Sequence, residues 1–86
     1  MRFHERLRAL RKQSPITQKD IATKIGVSPR TFQQYELGKI EPNIEKLILL
    51  SQIFNVTIDF LVCRNEYLAE ADAVVFGINP PENPNA

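Results

Sequence analysis

The chain has 86 residues, 43% of them hydrophobic and 24% charged, which predicts one globular domain with a modest core. Eleven basic and ten acidic side chains give a net charge of +1, and the single cysteine, Cys63, excludes an internal disulfide and a multi-cysteine metal site. The charged N-terminus and the absence of a long apolar run argue against a signal peptide and a membrane span, so a cytoplasmic location is expected.

The first predicted helix runs from Phe3 to about Gln13. Phe3, Leu7 and Leu10 recur at helical spacing and are expected to face the core. A break at Pro15 separates this helix from the next one.

A second short helix is predicted after Thr17, whose side chain can cap its N-terminus. Ile21, Ala22 and Ile25 follow at helical spacing. Gly26 then predicts the end of the helix, because glycine takes the left-handed conformation of a helix terminus without steric cost.

A third helix is predicted to begin with Ser28 as its cap and Pro29 at its first position. At about 100° per residue this helix has two distinct faces. The face expected to pack on the protein carries Phe32, Tyr35 and Glu36. The face expected to point outward carries Arg30, Gln33 and Gln34.

The outward side chains of the third helix suit the edges of DNA bases. Glutamine can exchange two hydrogen bonds with adenine and arginine can fork onto guanine, each pair contributing about 1–3 kcal/mol of discrimination. The alternative is that they are ordinary solvated residues on a helix surface.

A fourth helix is predicted from the cap Asn43 to about Phe54, with Asn55 as its left-handed terminator, and a fifth helix follows the cap Thr57. Leu49 is predicted to point outward from the fourth helix. The positions predicted to face inward are Ile44, Leu47, Leu50, Ser51, Phe54, Ile58, Leu61 and Val62.

No alternating strand pattern occurs, so an all-α fold is predicted. Residues 1–63 are predicted to form the main domain, residues 64–77 a C-terminal helical extension, and residues 78–86 a disordered tail rich in proline and asparagine. The alternative for the extension is a frayed segment folded loosely on the domain.

The charges are unevenly distributed along the chain. Residues 1–39 carry nine basic and three acidic side chains, hence +6, whereas residues 40–86 carry two basic and seven acidic ones, hence −5. Such a molecule is expected to turn its basic half toward a polyanion, unless the asymmetry is a chance distribution of solvated charges.

Four segments together carry a resemblance to a known family: LRALRKQ, TQKDIATKIGVSPRTFQQYELGK, EPNIEKL and FNVTIDFLV. They span about two thirds of the chain and resemble the helix-turn-helix domain of the Cro and phage-repressor (XRE-type) family. The resemblance implies a compact, lambda-repressor-like domain of five helices, encoded by a bacterium or a phage. It also implies that a dimer binds a palindromic operator with its third helices in the major groove.

The resemblance also implies roles for single residues. The positions that would contact bases are Pro29, Arg30, Gln33 and Gln34. The positions that would contact the DNA backbone are Gln18, Thr31 and Lys39. Arg11 and Glu36 would form a partly buried ion pair, which suits a carboxylate on the inner face of a helix.

The sequence departs from the family at two positions. Pro29 stands where many relatives have a polar base reader, and Leu37 replaces an asparagine that is common before the glycine.

Dimerisation is expected because one short helix rarely reads a half-site tightly enough. The candidate dimer surfaces are Leu49, Ile53, Val62 and the stripe over residues 67–75.

The sequence contains no motif of an enzyme, and no cofactor or metal is expected. Its one histidine, His4, lies near the N-terminus and is expected to be solvated. Two non-enzymatic functions remain. The first is a sequence-specific transcriptional regulator, and the second is a protein-interaction module, such as an antitoxin, that uses its C-terminal segment to bind a partner.

Overall fold

A computed structural model of the chain describes residues 1–66. All regular structure in this range is helical, which confirms the predicted all-α fold. The five helices are α1 (Phe3–Lys12), α2 (Gln18–Ile25), α3 (Pro29–Glu36), α4 (Ile44–Phe54) and α5 (Ile58–Leu61).

Four of the five helices begin at a side-chain cap. The capping residues are Thr17, Ser28, Asn43 and Thr57, and each accepts the backbone N–H three residues further on, at 2.9–3.1 Å. These caps satisfy donors that a helix N-terminus otherwise leaves unpaired. At the other ends of α2 and α4, Gly26 (φ 81°) and Asn55 (φ 54°) adopt the left-handed conformation.

The helices enclose one core in the described part of the chain. α3 packs against both α1 and α2, α4 packs against α2 and α5, and α5 returns to α1. The buried apolar side chains are Phe3, Leu7, Ile21, Ala22, Ile25, Phe32, Tyr35, Leu50 and Leu61. The short second and third helices are therefore held by the long-range packing of α1 and α4, since helices of eight residues are marginal alone.

Arg6 joins α1 to α5. Its Nη1 donates to the carbonyl oxygen of Phe60 at 3.0 Å, and its guanidinium carbon lies 3.9 Å from the centroid of the Phe60 ring. The contact combines a second hydrogen bond to the Phe60 carbonyl, which also accepts from the Cys63 N–H at 3.2 Å, with a cation–π interaction.

The inward face of α4 differs from the prediction. Ile44 was predicted to face the core, but it is 74% exposed, and Ile48 is 42% exposed. Leu49 was predicted to point outward, but it packs against the core. Because α2 and α5 both contact α4, its buried sector is wide enough to include Leu49. Ile44 is the first residue of α4 and lies with Ile48, one turn further on, on the side that is left uncovered.

Two further side chains flank α5: Ile58 is its first residue, and Cys63 follows its end. Ile58 was predicted to pack inward, but it is exposed. Cys63 is buried, as expected of a small apolar side chain, and its burial raises the pKa of its thiol, which opposes formation of the reactive thiolate.

The described range ends shortly after the predicted main domain. Residues 64–66 are helical. The rest of the predicted extension, with its apolar stripe over residues 67–75, and the predicted tail over residues 78–86 lie outside the described residues. Within residues 1–66, no helix combines the length and hydropathy that a bilayer span requires.

The observed orientation of α4 predicts that two alanine substitutions on this helix differ in their effect on the free energy of unfolding. Leu50→Ala should lower the free energy of unfolding by about 2–5 kcal/mol, because Leu50 is fully buried and its removal leaves a cavity. Ile44→Ala should change it by less than about 0.5 kcal/mol, as exposed substitutions usually do. Denaturant unfolding of both variants measures this, and equal losses would contradict the orientation described here.

Candidate nucleic-acid interface

The inner side of α3 is aromatic. Phe32 is fully buried and Tyr35 nearly so. Their ring centroids lie 6.4 Å apart at an interplanar angle of 74°, the edge-to-face arrangement that aromatic pairs favour. These two side chains attach α3 to the domain and set which of its residues remain outside.

The outer side of α3 is polar and open. Pro29, Arg30 and Gln33 are exposed, whereas Gln34 is half-buried. Gln34 is therefore less free than the sequence predicted. The predicted base-contacting positions thus share one helix, with Arg30 and Gln33 as its more accessible long polar side chains.

Two of the predicted backbone-contacting positions, Thr31 on α3 and Lys39 after it, differ in the accessibility of their side chains. Thr31 is half-buried; its N–H donates to Ser28 Oγ at 3.0 Å and its own Oγ1 accepts from the Ser28 hydroxyl at 3.0 Å. Lys39 is exposed in the connector just beyond α3. Its ammonium group is accessible to an anion, whereas the Thr31 side chain is half-buried and its oxygen accepts within the cap, which leaves its O–H as the donor for an anion.

Glu36, at the end of α3, holds three helices together. Arg11 of α1 donates to its carboxylate twice, from Nε at 2.5 Å and from Nη2 at 3.2 Å. Gln18 of α2 donates from Nε2 at 2.9 Å. The Glu36 side chain is only 4% exposed and that of Arg11 is 21% exposed, so this predicted pair is a partly buried, bidentate one.

The contact of Gln18 restricts the role that the resemblance implied for it. A carboxylate only accepts hydrogen bonds, so the amide NH₂ of Gln18 must face Glu36. One of its two N–H groups is then used inside the protein, which leaves the second for an anion at the N-terminus of α2. Gln18 therefore links the buried ion pair to the outer surface.

His4 lies against the turn after α3. It is half-buried rather than solvated, contrary to the prediction. Gly38 adopts φ 74°, and a Cβ built there would lie 3.0 Å from the His4 ring. Glycine is thus required both by the backbone conformation and by the close approach of the imidazole.

One charged residue that the sequence reasoning did not select also lies here. Arg8 of α1 lines a cleft of about 120 Å³ together with Gln18 and Gln33. Its spacing is only a partial signal: Arg8 precedes Arg11 by three residues and therefore shares its helix face, but the nearness of that face to Gln33 follows from the packing of α1 against α3.

A family model described as "Helix-turn-helix" matches residues 7–61, which cover α2, the turn at Gly26 and α3 together with most of α1 and all of α4 and α5. The chain belongs to the helix-turn-helix family. The resemblance read from the four sequence segments is thereby confirmed.

The helix-turn-helix chain is similar to several known proteins. The uncharacterised HTH-type transcriptional regulator YqaE of Bacillus subtilis is 40% identical over 60 residues, 70% of this chain and 52% of YqaE. The P22 c2 repressor, solved in complex with synthetic operator 9T, is 35% identical with a TM-score of 0.68, covering 72% of this chain and 94% of that one.

A transcriptional regulator from Listeria innocua is 29% identical with a TM-score of 0.67, and the match covers 93% of this chain and 79% of that one. The helix-turn-helix chain spans about half the length of YqaE, 52%. The fold shared with these regulators lies in the part of the chain that contains the site.

The burial of Glu36 predicts an asymmetric response to mutation. Arg11→Met should lower the free energy of unfolding by about 3 kcal/mol, because it leaves a buried carboxylate without its cation. The double variant Arg11→Met/Glu36→Leu should lose less than the single variant, since no unpaired charge remains. Denaturant unfolding of both measures the difference, and a double variant less stable than the single one would contradict it.

Proposed function

We propose that the chain is a sequence-specific transcriptional regulator that binds double-stranded DNA, acting as a dimeric repressor with α3 in the major groove. The observation that carries this proposal is the division of α3 into a buried aromatic side and an open side with Arg30 and Gln33. Arginine and glutamine are the side chains best suited to bidentate contacts with guanine and adenine.

Two further observations support a DNA partner. A relative of similar fold, the P22 c2 repressor, was solved in complex with a synthetic operator. The basic half of the sequence, residues 1–39 with a net charge of +6, includes the whole of α1, α2 and α3. A positively charged surface beside the reading helix would attract the phosphate backbone.

The proposed contacts with the backbone flank α3. Lys39 offers an exposed ammonium group, and Gln18 offers the N–H that Glu36 does not use. The N-terminus of α2 adds unpaired backbone N–H groups, which favour a phosphate. Pro29 can offer a base only shape and apolar contact, so Arg30 and Gln33 carry most of the proposed sequence readout, with Gln34 in a smaller part.

A dimer would bind a palindromic operator whose half-sites lie about 34 Å apart. The sequence suggested Leu49, Ile53 and Val62 as dimer surfaces, but all three pack partly against the core. Ile58 and Phe60, two residues apart on α5, are both exposed. We therefore place the proposed interface with a second copy on α5.

The proposed regulator would act by occupancy, because a dimer that covers an operator excludes polymerase from it. It needs no cofactor and catalyses no reaction, and we assign it to the cytoplasm, bound to DNA. Within residues 1–66, no cluster of side chains could hold a metal ion.

An exposed apolar surface supports the second candidate, a protein-interaction module. Ile44 and Ile48, one turn apart on α4, and Ile40, in the connector before α4, are all exposed; we call them the isoleucine patch. Contiguous exposed apolar residues mark interaction sites in other proteins. The C-terminal segment that the sequence suggested for a protein partner lies beyond the described residues.

Selection of preferred duplexes from a random pool tests the base readout. We expect a palindromic preference in the selected duplexes, and Gln33→Ala should relax the preference at one position of each half-site by about 1–3 kcal/mol. Gln34→Ala should have a smaller effect, because Gln34 is half-buried. Failure of the unmodified chain to retain any duplex at low ionic strength would favour the protein-interaction module.

Lys39→Ala is the matched control for this experiment. It should weaken binding to all duplexes alike and lower the steepness of the salt dependence, because a phosphate contact carries no base information. A changed base preference in this variant would show that Lys39 reads the sequence instead.

Substitution on α5 tests the dimer. Ile58→Lys should shift the sedimentation profile from dimer to monomer, because a charge at the centre of an apolar interface would be buried without a partner. Ile44→Lys adds the same charge to the isoleucine patch and should leave the dimer intact. If Ile44→Lys abolished the dimer and Ile58→Lys left it intact, the interface would lie on α4 instead.

A further inference from the structure

Two cations lie exposed on the outer side of α1. Arg8 and Lys12 are four residues apart, so their side chains are neighbours on one helix face. Both are exposed, and within residues 1–66 neither forms an ion pair. By contrast, Arg11 on the same helix is paired with Glu36.

The position of Arg8 connects this face to the reading helix. The cleft of about 120 Å³ that it lines is shared with Gln18 of α2 and Gln33 of α3. A wider groove extends along α1 from His4 to Lys12 and includes Arg8, together with the carboxylate of Glu5. An anion that approaches Gln33 from the side of α1 therefore meets Arg8 at the shared rim.

Two other side chains at this rim are less suited than Arg8 to a bidentate contact with an anion. The guanidinium of Arg11 already donates two hydrogen bonds to Glu36. Leu37, at the end of α3, is 51% exposed and has no hydrogen-bond donor in its side chain. Arg8 is therefore the cation at the rim whose fork of N–H groups remains available for a bidentate contact.

We propose that Arg8, assisted by Lys12, binds a backbone phosphate of duplex DNA just outside the bases that α3 reads. This inference rests on the proposed DNA-binding function and adds a second, sequence-independent contact surface to it. Phosphate is the fitting ligand because Arg8 lies on α1, beside the reading helix rather than on it. The side chain would therefore reach the rim of the groove and not the base edges within it.

A purely structural role is the competing explanation. Arg8 also lies near Glu36, which lines the same cleft, so its charge could serve only to balance that carboxylate. The two roles differ in their consequences. A structural role would appear in thermal unfolding, whereas a phosphate contact would appear in the salt dependence of binding.

The test measures the affinity of the full chain for its selected duplex and for a scrambled duplex over a range of salt concentrations. Arg8→Gln should weaken binding to both duplexes by roughly tenfold per subunit. It should make the slope of log affinity against log salt shallower by about 0.9 per subunit, hence about 1.8 for a dimer. Arg8→Lys should keep the slope, because it keeps the charge. The melting temperature of both variants should equal that of the unmodified chain.

Arg64→Gln is the matched control, since it removes the same charge from an exposed site after α5. It should leave the slope unchanged. The inference is overturned by an unchanged slope in Arg8→Gln, by a loss confined to the selected duplex, or by a loss of affinity that follows a lowered melting temperature. If the unmodified chain binds neither duplex, the proposed function fails as well, and the two failures are thereby distinguished.

Discussion

The carboxylate of Glu36 is buried where α1, α2 and α3 meet, and the orientation of α3 depends on its hydrogen bonds. Arg11 donates to it from α1 and Gln18 from α2. Aromatic packing of Phe32 attaches α3 to the core, but hydrophobic burial has no direction and tolerates small rotations of a helix. Three charge-assisted hydrogen bonds with fixed geometry restrict that rotation. A buried carboxylate costs free energy unless it is paired in this way, so its presence makes one arrangement of the three helices much more favourable than the others.

The hydrogen bonds of Glu36 also extend to the outer surface of the protein, through Gln18. Gln18 uses one N–H for Glu36 and has a second available at the N-terminus of α2, so a ligand there would contact a side chain already fixed in position. A fixed donor loses less conformational entropy on binding than a free one. Gln33 and Arg8 line the same cleft as Gln18, which places groups from three helices within one small region. The fold therefore orients the polar groups before any partner arrives.

Local signals in the sequence predicted the helix boundaries and the two faces of α3 well, because caps and left-handed termini such as Thr17 and Gly26 act within a few residues. Helical phase failed for Ile44 and Leu49, since the burial of a residue on α4 depends on how many neighbouring helices surround it. Phase along one helix contains no information about that number. The position of Arg8 at the cleft was missed for a related reason. Its position beside Gln33 follows from the packing of α1 on α3, which no spacing along the chain specifies.

The magnitudes of base recognition explain why such a small reading surface would need a second copy. A bidentate pair contributes about 1–3 kcal/mol, so Arg30 and Gln33 together would supply about 2–6 kcal/mol per subunit. Specific sites are typically favoured over non-specific DNA by about 4–10 kcal/mol. Two subunits on a palindrome reach that range without any contribution from Pro29, which offers no hydrogen bond to a base. Absolute affinity must then come from sequence-independent contacts, and an exposed row of cations on α1, outside the reading helix, can supply these without altering which bases are preferred.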